Sequence, residues 1–279
     1  MPELPEVETI KEALNKSICG AKINSVLVNN RSFREKIPED FESITKNTTI
    51  TKIWRLAKYA ILNLSNGYSI IWHFGMSGKV KILSENTSVY EKHDHVIFQT
   101  SKGVVIFNDT RRFGLISYCK TNELMKHHLF SEIGIDPFDK NFDVQYLASK
   151  LKNKKTPIKI SLLDQKIVSG IGNIYASEAL YKAQISPLRE TSSLTLDEIE
   201  NLIKAIQFTL EKAIKAGGST LRDYKKPDGS MGYFQNEHCV YNKTGQRCPN
   251  CVCDLNSTSG IVKITQGGRS TFYCSTLQK

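Results

Sequence analysis

Two apolar rhythms run along this chain, and the switch between them divides it. Val7, Ile10 and Leu14 recur at the spacing of one helix face. Pro5 stands where a first helical turn tolerates its missing N–H, and Glu6 and Glu8 fall beside the positive end of the helix dipole. From about residue 22 to 118 the pattern shortens to strand-like runs: KINSVLVNN, TITKIWRLAKYAILNL, YSIIWHFG, KVKIL, HVIFQT, GVVIFND and LISYC. Asn66-Gly67 and Lys102-Gly103 mark turns between the later ones. Several short strands behind one helix predict a β-sandwich or barrel. Gly134, Asp136 and Pro137 interrupt the pattern, so a linker is expected over 131–141, with helical periods from Phe142 onward.

The best-marked helix lies in LTLDEIENLIKAIQFTLEKAIKAGG. Thr195 and Glu198 have capping-box spacing, Ile199, Leu202, Ile203, Ile206, Leu210, Ala213 and Ile214 form one apolar face, and Gly217-Gly218 supplies the stop. This face belongs to a core, not to a site. Upstream, SLLDQKIVSGIGNIYASEALY reads as helix, glycine turn, helix. From residue 238 the chain becomes short, hairpin-like and rich in cysteine.

Length and charge narrow the class. The 279 residues have room for two domains of ordinary size. The longest apolar stretches are too short to span a bilayer, and the acidic start lacks the basic and apolar regions of a signal peptide. A cytosolic protein with no membrane partner is expected, and seven cysteines, an odd number, agree with a reducing compartment. The net charge of +10 is uneven, with +3 over residues 1–140 and +7 over the remainder. Such an excess fits a polyanionic partner.

The opening MPELPEVET carries the first candidate chemistry. Removal of Met1 is favoured by a small second residue, and it would leave Pro2 as a free secondary amine. An α-amino group has a pKa near ~8 against roughly 10.4 for lysine, so its neutral fraction at pH 7 is larger by a factor on the order of 100. A helix N-terminus disfavours the ammonium further. With an aldehyde-level carbon a secondary amine forms an iminium that stays charged at any pH, which makes it an electron sink. Glu3 is the nearest proton carrier.

MPELPEVET, HFGMSGK, DTRRFG, SGIGNIYASE and a terminal CPNC hairpin, in this order, resemble the formamidopyrimidine-DNA glycosylase family, bacterial enzymes that excise oxidised purines. The resemblance runs from Pro2 to about Gln278. It implies an α+β protein: an N-terminal β-sandwich (1–130) with a leading nucleophile helix, the linker, a helical helix-two-turn-helix domain (142–237), and a zinc-finger-like β-hairpin module (238–279). It further implies a proton-donor role for Lys58 in elimination, and it makes Met76, Arg111 and Phe113 the three residues that fill the hole left by an extruded nucleotide. The family usually has proline where Thr110 stands.

The same resemblance makes His93 a DNA contact and leaves His73 as either a phosphate contact or a core histidine. His95 reads as a packing residue. Lys154 is expected at DNA, Lys159 close to the damaged base, and Asn173 at a phosphate beside the glycine turn. AGGSTLRDYKKPDGSMGYF corresponds to the loop that closes over an extruded purine, with Ser219 at its oxidised edge. Arg269, in GGRSTFYC, matches the hairpin arginine that grips the phosphate at the lesion.

The cysteines depart from the family. A structural zinc needs four ligands, which the family supplies as two C-x-x-C pairs. Here Cys248 and Cys251 form the first pair, Cys274 opens the second, and Leu277 stands where the fourth ligand belongs. The interval to Cys274 is longer than usual, pointing to an insertion around NSTSGI. Cys253 or Cys239 could complete the set, although Cys253 lies so near Cys251 that joint ligation would strain the knuckle; otherwise the hairpin holds without metal, or the end is damaged and partly disordered. The expectation is a monomeric cytosolic, nucleoid-associated DNA glycosylase and AP lyase of base excision repair. It acts on double-stranded DNA carrying 8-oxoguanine or formamidopyrimidines, with one structural zinc and no catalytic cofactor. The alternatives are the sister class that removes oxidised pyrimidines, which commonly has glycine in place of Leu4, and a damage sensor without catalysis.

Overall fold

The computed structural model describes residues 1–84, 90–221, 224–251, 255–258 and 260–279. They form two compact units, residues 1–131 with 214–235, and residues 132–213 with 236–279.

The first unit opens with helix α1 (Leu4–Ile18), with proline in its first turn as the sequence predicts. Then follow β1 (Ile23–Val28), the short α2 (Phe41–Thr45), β2 (Ile50–Leu56), β3 (Tyr59–Leu64), β4 (Tyr68–His73), β5 (Gly78–Leu83), β6 (Asp94–Thr100), β7 (Gly103–Asp109) and β8 (Leu115–Lys120). The strands make two antiparallel four-stranded sheets, ordered β1-β6-β7-β5 and β2-β3-β4-β8. Both contribute to one core, in which Val96, Phe98, Val105 and Phe107 of the first meet Leu62, Ile70, Trp72 and Ile116 of the second. The expected β-sandwich is therefore present. Val7, Ile10, Leu14 and Ile18 join the same core, so the apolar stripe of α1 fastens the start of the chain to β2 and β3.

The run TITKIWRLAKYAILNL is a hairpin and not a single strand: Leu56 pairs with Tyr59, leaving Ala57 and Lys58 as a two-residue turn. Ala57 takes the left-handed conformation, φ +53°, that such a turn demands. Ala57-Lys58 holds none of the glycine, asparagine, aspartate or proline that marks a hairpin turn, which hid the break.

The second unit contains α3 (Val144–Leu151), α4 (Ile158–Leu163), α5 (Asn173–Lys182), most of α6 (Leu196–Lys215), α7 (Leu255–Thr258) and a hairpin of β9 (Ile261–Gln266) and β10 (Arg269–Cys274). The α6 capping box forms as predicted, since the Thr195 N–H donates to Glu198 Oε2 at 2.9 Å and the Glu198 N–H to Thr195 Oγ1 at 3.3 Å. Gly267 and Gly268 both have positive φ, as a two-residue hairpin turn requires. Among the described residues, no helix is long and apolar enough to cross a membrane.

Candidate active site and cysteine cluster

In the first unit, Pro2 and Glu3 are buried at the mouth of α1. Glu6 bridges two segments there. Its Oε2 accepts the Glu3 N–H at 2.8 Å, and its Oε1 accepts the Ser219 N–H at 2.7 Å. Gly218 (φ +81°) permits this approach, because a Cβ there would lie 2.8 Å from Glu6 Cγ. The Ser219 segment is also pinned by Tyr224, which joins the sandwich core and donates its hydroxyl to Gly217 O at 3.1 Å. Burial pushes the Tyr224 phenol well above its ordinary pKa. Sequence reasoning read Glu6 as a helix-dipole residue and missed this second bond, for which the spacing of the chain holds no signal.

Lys58 does not lie within a strand. It occupies the β2–β3 turn and is only 7% exposed. Arg55 braces that turn, donating from Nη1 to Ala57 O at 3.1 Å and from Nε to Glu8 Oε2 at 2.7 Å. His73 is a buried histidine whose Nδ1 accepts the Gly75 N–H at 3.0 Å, so its proton sits on Nε2. Burial, then the positive charges of Lys58, Arg34 and the chain's amino terminus, lower its pKa to about 3. The beginning of the chain, Lys58 and His73 thus share one neighbourhood.

Met76 and Phe113 are 41% and 46% exposed, unusual for large apolar side chains in tight turns. Arg111 is exposed beside them, with its guanidinium carbon 4.5 Å from the centre of the Phe113 ring. The turn bearing Met76 and the turn bearing Arg111 and Phe113 touch through backbone: a Cβ on Gly75 would lie 2.4 Å from Gly114 N. Asp109, fully buried, lies under both. Its Oδ1 accepts from Ser77 Oγ at 2.5 Å and from the Arg111 N–H at 3.3 Å, and its Oδ2 accepts the Gly114 N–H at 2.8 Å. Sequence reasoning passed over Asp109 and Ser77, although an acidic residue closing an apolar strand before a glycine-ended turn was a usable signal. His93 is half-buried, and its carbonyl takes the Asp109 N–H at 3.1 Å. His95 packs on Phe33 and pairs Nε2 with Asp109 O at 3.0 Å, consistent with its reading as a packing residue.

In the second unit, Lys159 is buried. Its Nζ donates to Asn173 Oδ1 at 2.7 Å, Thr271 Oγ1 at 2.7 Å and Ser270 O at 3.1 Å. Asn173 Nδ2 donates to the same Ser270 carbonyl at 2.8 Å. These bonds knot the start of α5 to β10, directly beside the exposed Arg269. The Gly170 N–H is bound by Gln165 Oε1 at 2.9 Å, so that glycine shapes the turn with its φ of +85° while its donor is used internally. Lys154 is half-buried, and its carbonyl accepts from Thr191 Oγ1 at 2.6 Å.

The ligand atoms of Cys248, Cys251 and Cys274 lie within 4.8 Å of one another. Zinc with Zn–S bonds of about 2.3 Å at a tetrahedral angle would set sulfurs roughly 3.8 Å apart. The Sγ separations of 2.9 Å (Cys248–Cys251) and 3.5 Å (Cys251–Cys274) are shorter than that, and Cys251 is disulfide-bonded, so the three could hold a metal once that bond is reduced and the sulfurs part slightly. Leu277 packs with Tyr181, Val240, Ile261 and Phe272 in the apolar cluster around them. Cys239 touches that cluster but directs its Sγ at Glu237 O, 3.8 Å away, and does not join the trio. Cys253 lies outside the described residues. Glu178 anchors the same region by accepting the N–H groups of Cys239, Val240 and Tyr241 at 2.7–3.0 Å.

Two family models match. Residues 1–116 fit the formamidopyrimidine-DNA glycosylase N-terminal domain and residues 133–225 the formamidopyrimidine-DNA glycosylase H2TH domain. A formamidopyrimidine-DNA glycosylase of Rickettsia africae is 46% identical over 279 residues, covering 100% of this chain and 99% of the relative. Among solved structures, a Lactococcus lactis FPG mutant in complex with Fapy-dG-containing DNA matches at a TM-score of 0.90 and 36% identity, covering 100% of both chains. The Lactococcus lactis Fpg in complex with abasic-site DNA matches at 0.90 and 36%, covering 99% of each.

Proposed function

This chain belongs to the formamidopyrimidine-DNA glycosylase family, and from that membership we infer that Pro2, freed of Met1, is the nucleophile of a base excision repair glycosylase and AP lyase acting on oxidised purines in duplex DNA. The observation that carries this reading is the burial of Pro2 and Glu3 at the start of α1, together with a buried Lys58 and a buried His73 whose pKa is lowered by the charges of Lys58 and the amino terminus. A buried site whose histidine stays neutral adds no competing imidazolium beside the amine.

Met76, Arg111 and Phe113 enter the base stack in place of the extruded nucleotide. The Pro2 nitrogen attacks the sugar C1′, the C1′–base bond breaks, and the base leaves with a proton while Glu3 assists ring opening. The resulting iminium acidifies the adjacent C2′ proton, and loss of that proton expels the 3′ phosphate. A second elimination expels the 5′ phosphate, with Lys58 and Arg269 assisting proton transfer and phosphate departure. His93, Lys154 and Asn173 lie along the DNA backbone, with Lys159 holding Asn173 and the hairpin in place. Ser219, tied to Glu6, reads the damaged base. Cys248, Cys274 and the reduced thiol of Cys251 would hold a structural zinc, and the ion would stiffen the base of the hairpin. The protein works as a monomer on chromosomal DNA in the cytosol.

Borohydride trapping tests the reading. Mature protein should become covalently fixed to an 8-oxoguanine duplex, and peptide mass spectrometry should map the adduct to Pro2. An adduct on a lysine, or full activity with Met1 retained, would rule it out. Preferential trapping on an oxidised pyrimidine would move the protein to the sister class.

A further inference from the structure

We propose that Asp109 is a positioning residue that clasps the Met76 turn and the Arg111–Phe113 turn into one body; this rests on the reading in which those side chains enter the base stack. Its carboxylate is fully buried and accepts from neutral donors on both turns: Ser77 Oγ and the Arg111 N–H at Oδ1, and the Gly114 N–H at Oδ2. The Arg111 N–H also reaches Ser77 Oγ at 3.1 Å, which closes a small ring of bonds between the turns.

The backbone of Asp109 is held as firmly as its side chain. Its N–H donates to His93 O, and its carbonyl takes the Arg112 N–H at 3.3 Å and His95 Nε2 at 3.0 Å. A buried carboxylate is costly unless its lone pairs are filled, and a single turn needs only one acceptor atom. Here the two oxygens divide their donors between segments more than thirty positions apart in sequence. The contact of Gly75 with Phe113 and Gly114 leaves the turns no room to slide independently. An exposed tip that must push into a stack acts best when its geometry is set in advance, because ordering it during insertion would slow the step.

Duplex and single-stranded substrates separate this role from chemistry, since an abasic site in a single strand offers no stack to open. Asp109→Ala should slow cutting of an 8-oxoguanine duplex about tenfold, the cost of orphaning buried donors. Borohydride trapping on single-stranded abasic DNA should stay within about twofold. Asp109→Asn should recover most of the duplex rate, its amide oxygen accepting from Gly114 and its N–H donating to Ser77 Oγ. Ser77→Ala, a milder cut at the same clasp, should show a smaller loss confined to the duplex. Equal losses on both substrates in either alanine variant, or an asparagine variant no better than alanine, would overturn the assignment. Wild-type protein that traps on neither substrate would overturn the underlying nucleophile reading and this inference with it.

Discussion

The paired turns beside Asp109 and the terminal hairpin both present exposed side chains from tight β connections, but they are held in different ways. The turns are secured by interlocked backbone and by one carboxylate that takes N–H and O–H groups directly. The hairpin depends on remote supports: Lys159 behind Ser270 and Thr271, Glu178 under residues 239–241, and a cysteine trio set in an apolar cluster at its base. A support made of apolar packing tolerates exchange of one member for another of similar size, whereas a hydrogen-bond acceptor filled from several directions has no apolar substitute. Leu277 stands inside that cluster and extends its apolar packing.

The largest effect expected from breaking the hairpin's supports comes from Lys159→Ala. Removing Nζ takes the donor from Asn173 Oδ1 and Thr271 Oγ1, while Ser270 O keeps Asn173 Nδ2, and should cost about 3 kcal/mol. Denaturant unfolding measures this, and a variant as stable as wild type would show that the knot contributes little.

The first unit should respond more strongly to acid than to metal. His73 has a folded pKa of about 3 against 6.5 ordinarily, so the unfolded chain binds its proton first. Its contribution is fully present above pH 6.5 and is lost as pH falls toward 3, with a slope of at most ~1.4 kcal/mol per pH unit. His73→Gln should flatten that part of the stability profile; an unchanged slope would place the titration elsewhere.

Chelation should have the smallest global effect. Because the apolar cluster remains when the ion is gone, the melting temperature should fall by only about 2–4 °C, equivalent to about 1 kcal/mol. Leu277→Cys should then raise zinc affinity by about tenfold or more through a fourth thiolate. Zinc content measured by elemental analysis and unaffected by chelator or by this substitution would argue for a metal elsewhere, and absence of zinc for a hairpin held by packing alone.

Much of the architecture is legible in the order of residues alone. Val7, Ile10 and Leu14 announce α1, Thr195 and Glu198 cap α6, and alternating runs announce the sandwich, because helix and strand periodicities are local properties of a chain. The motifs carrying Pro2, Met76, Arg111 and Phe113 were equally legible, since each sits in a short contiguous stretch. What stayed hidden involves partners distant in sequence. Lys58 lies inside what reads as one strand-like run, whereas the Leu56–Tyr59 pairing makes it part of a turn and buries it. Lys159, expected close to the damaged base, has its Nζ taken up by Asn173 of α5 and Thr271 of β10. The order of residues determined which side chains carry chemistry. Only folding decided which of them are free to meet a ligand and which are spent holding the others still, because desolvation and hydrogen bonding depend on what surrounds a group in space.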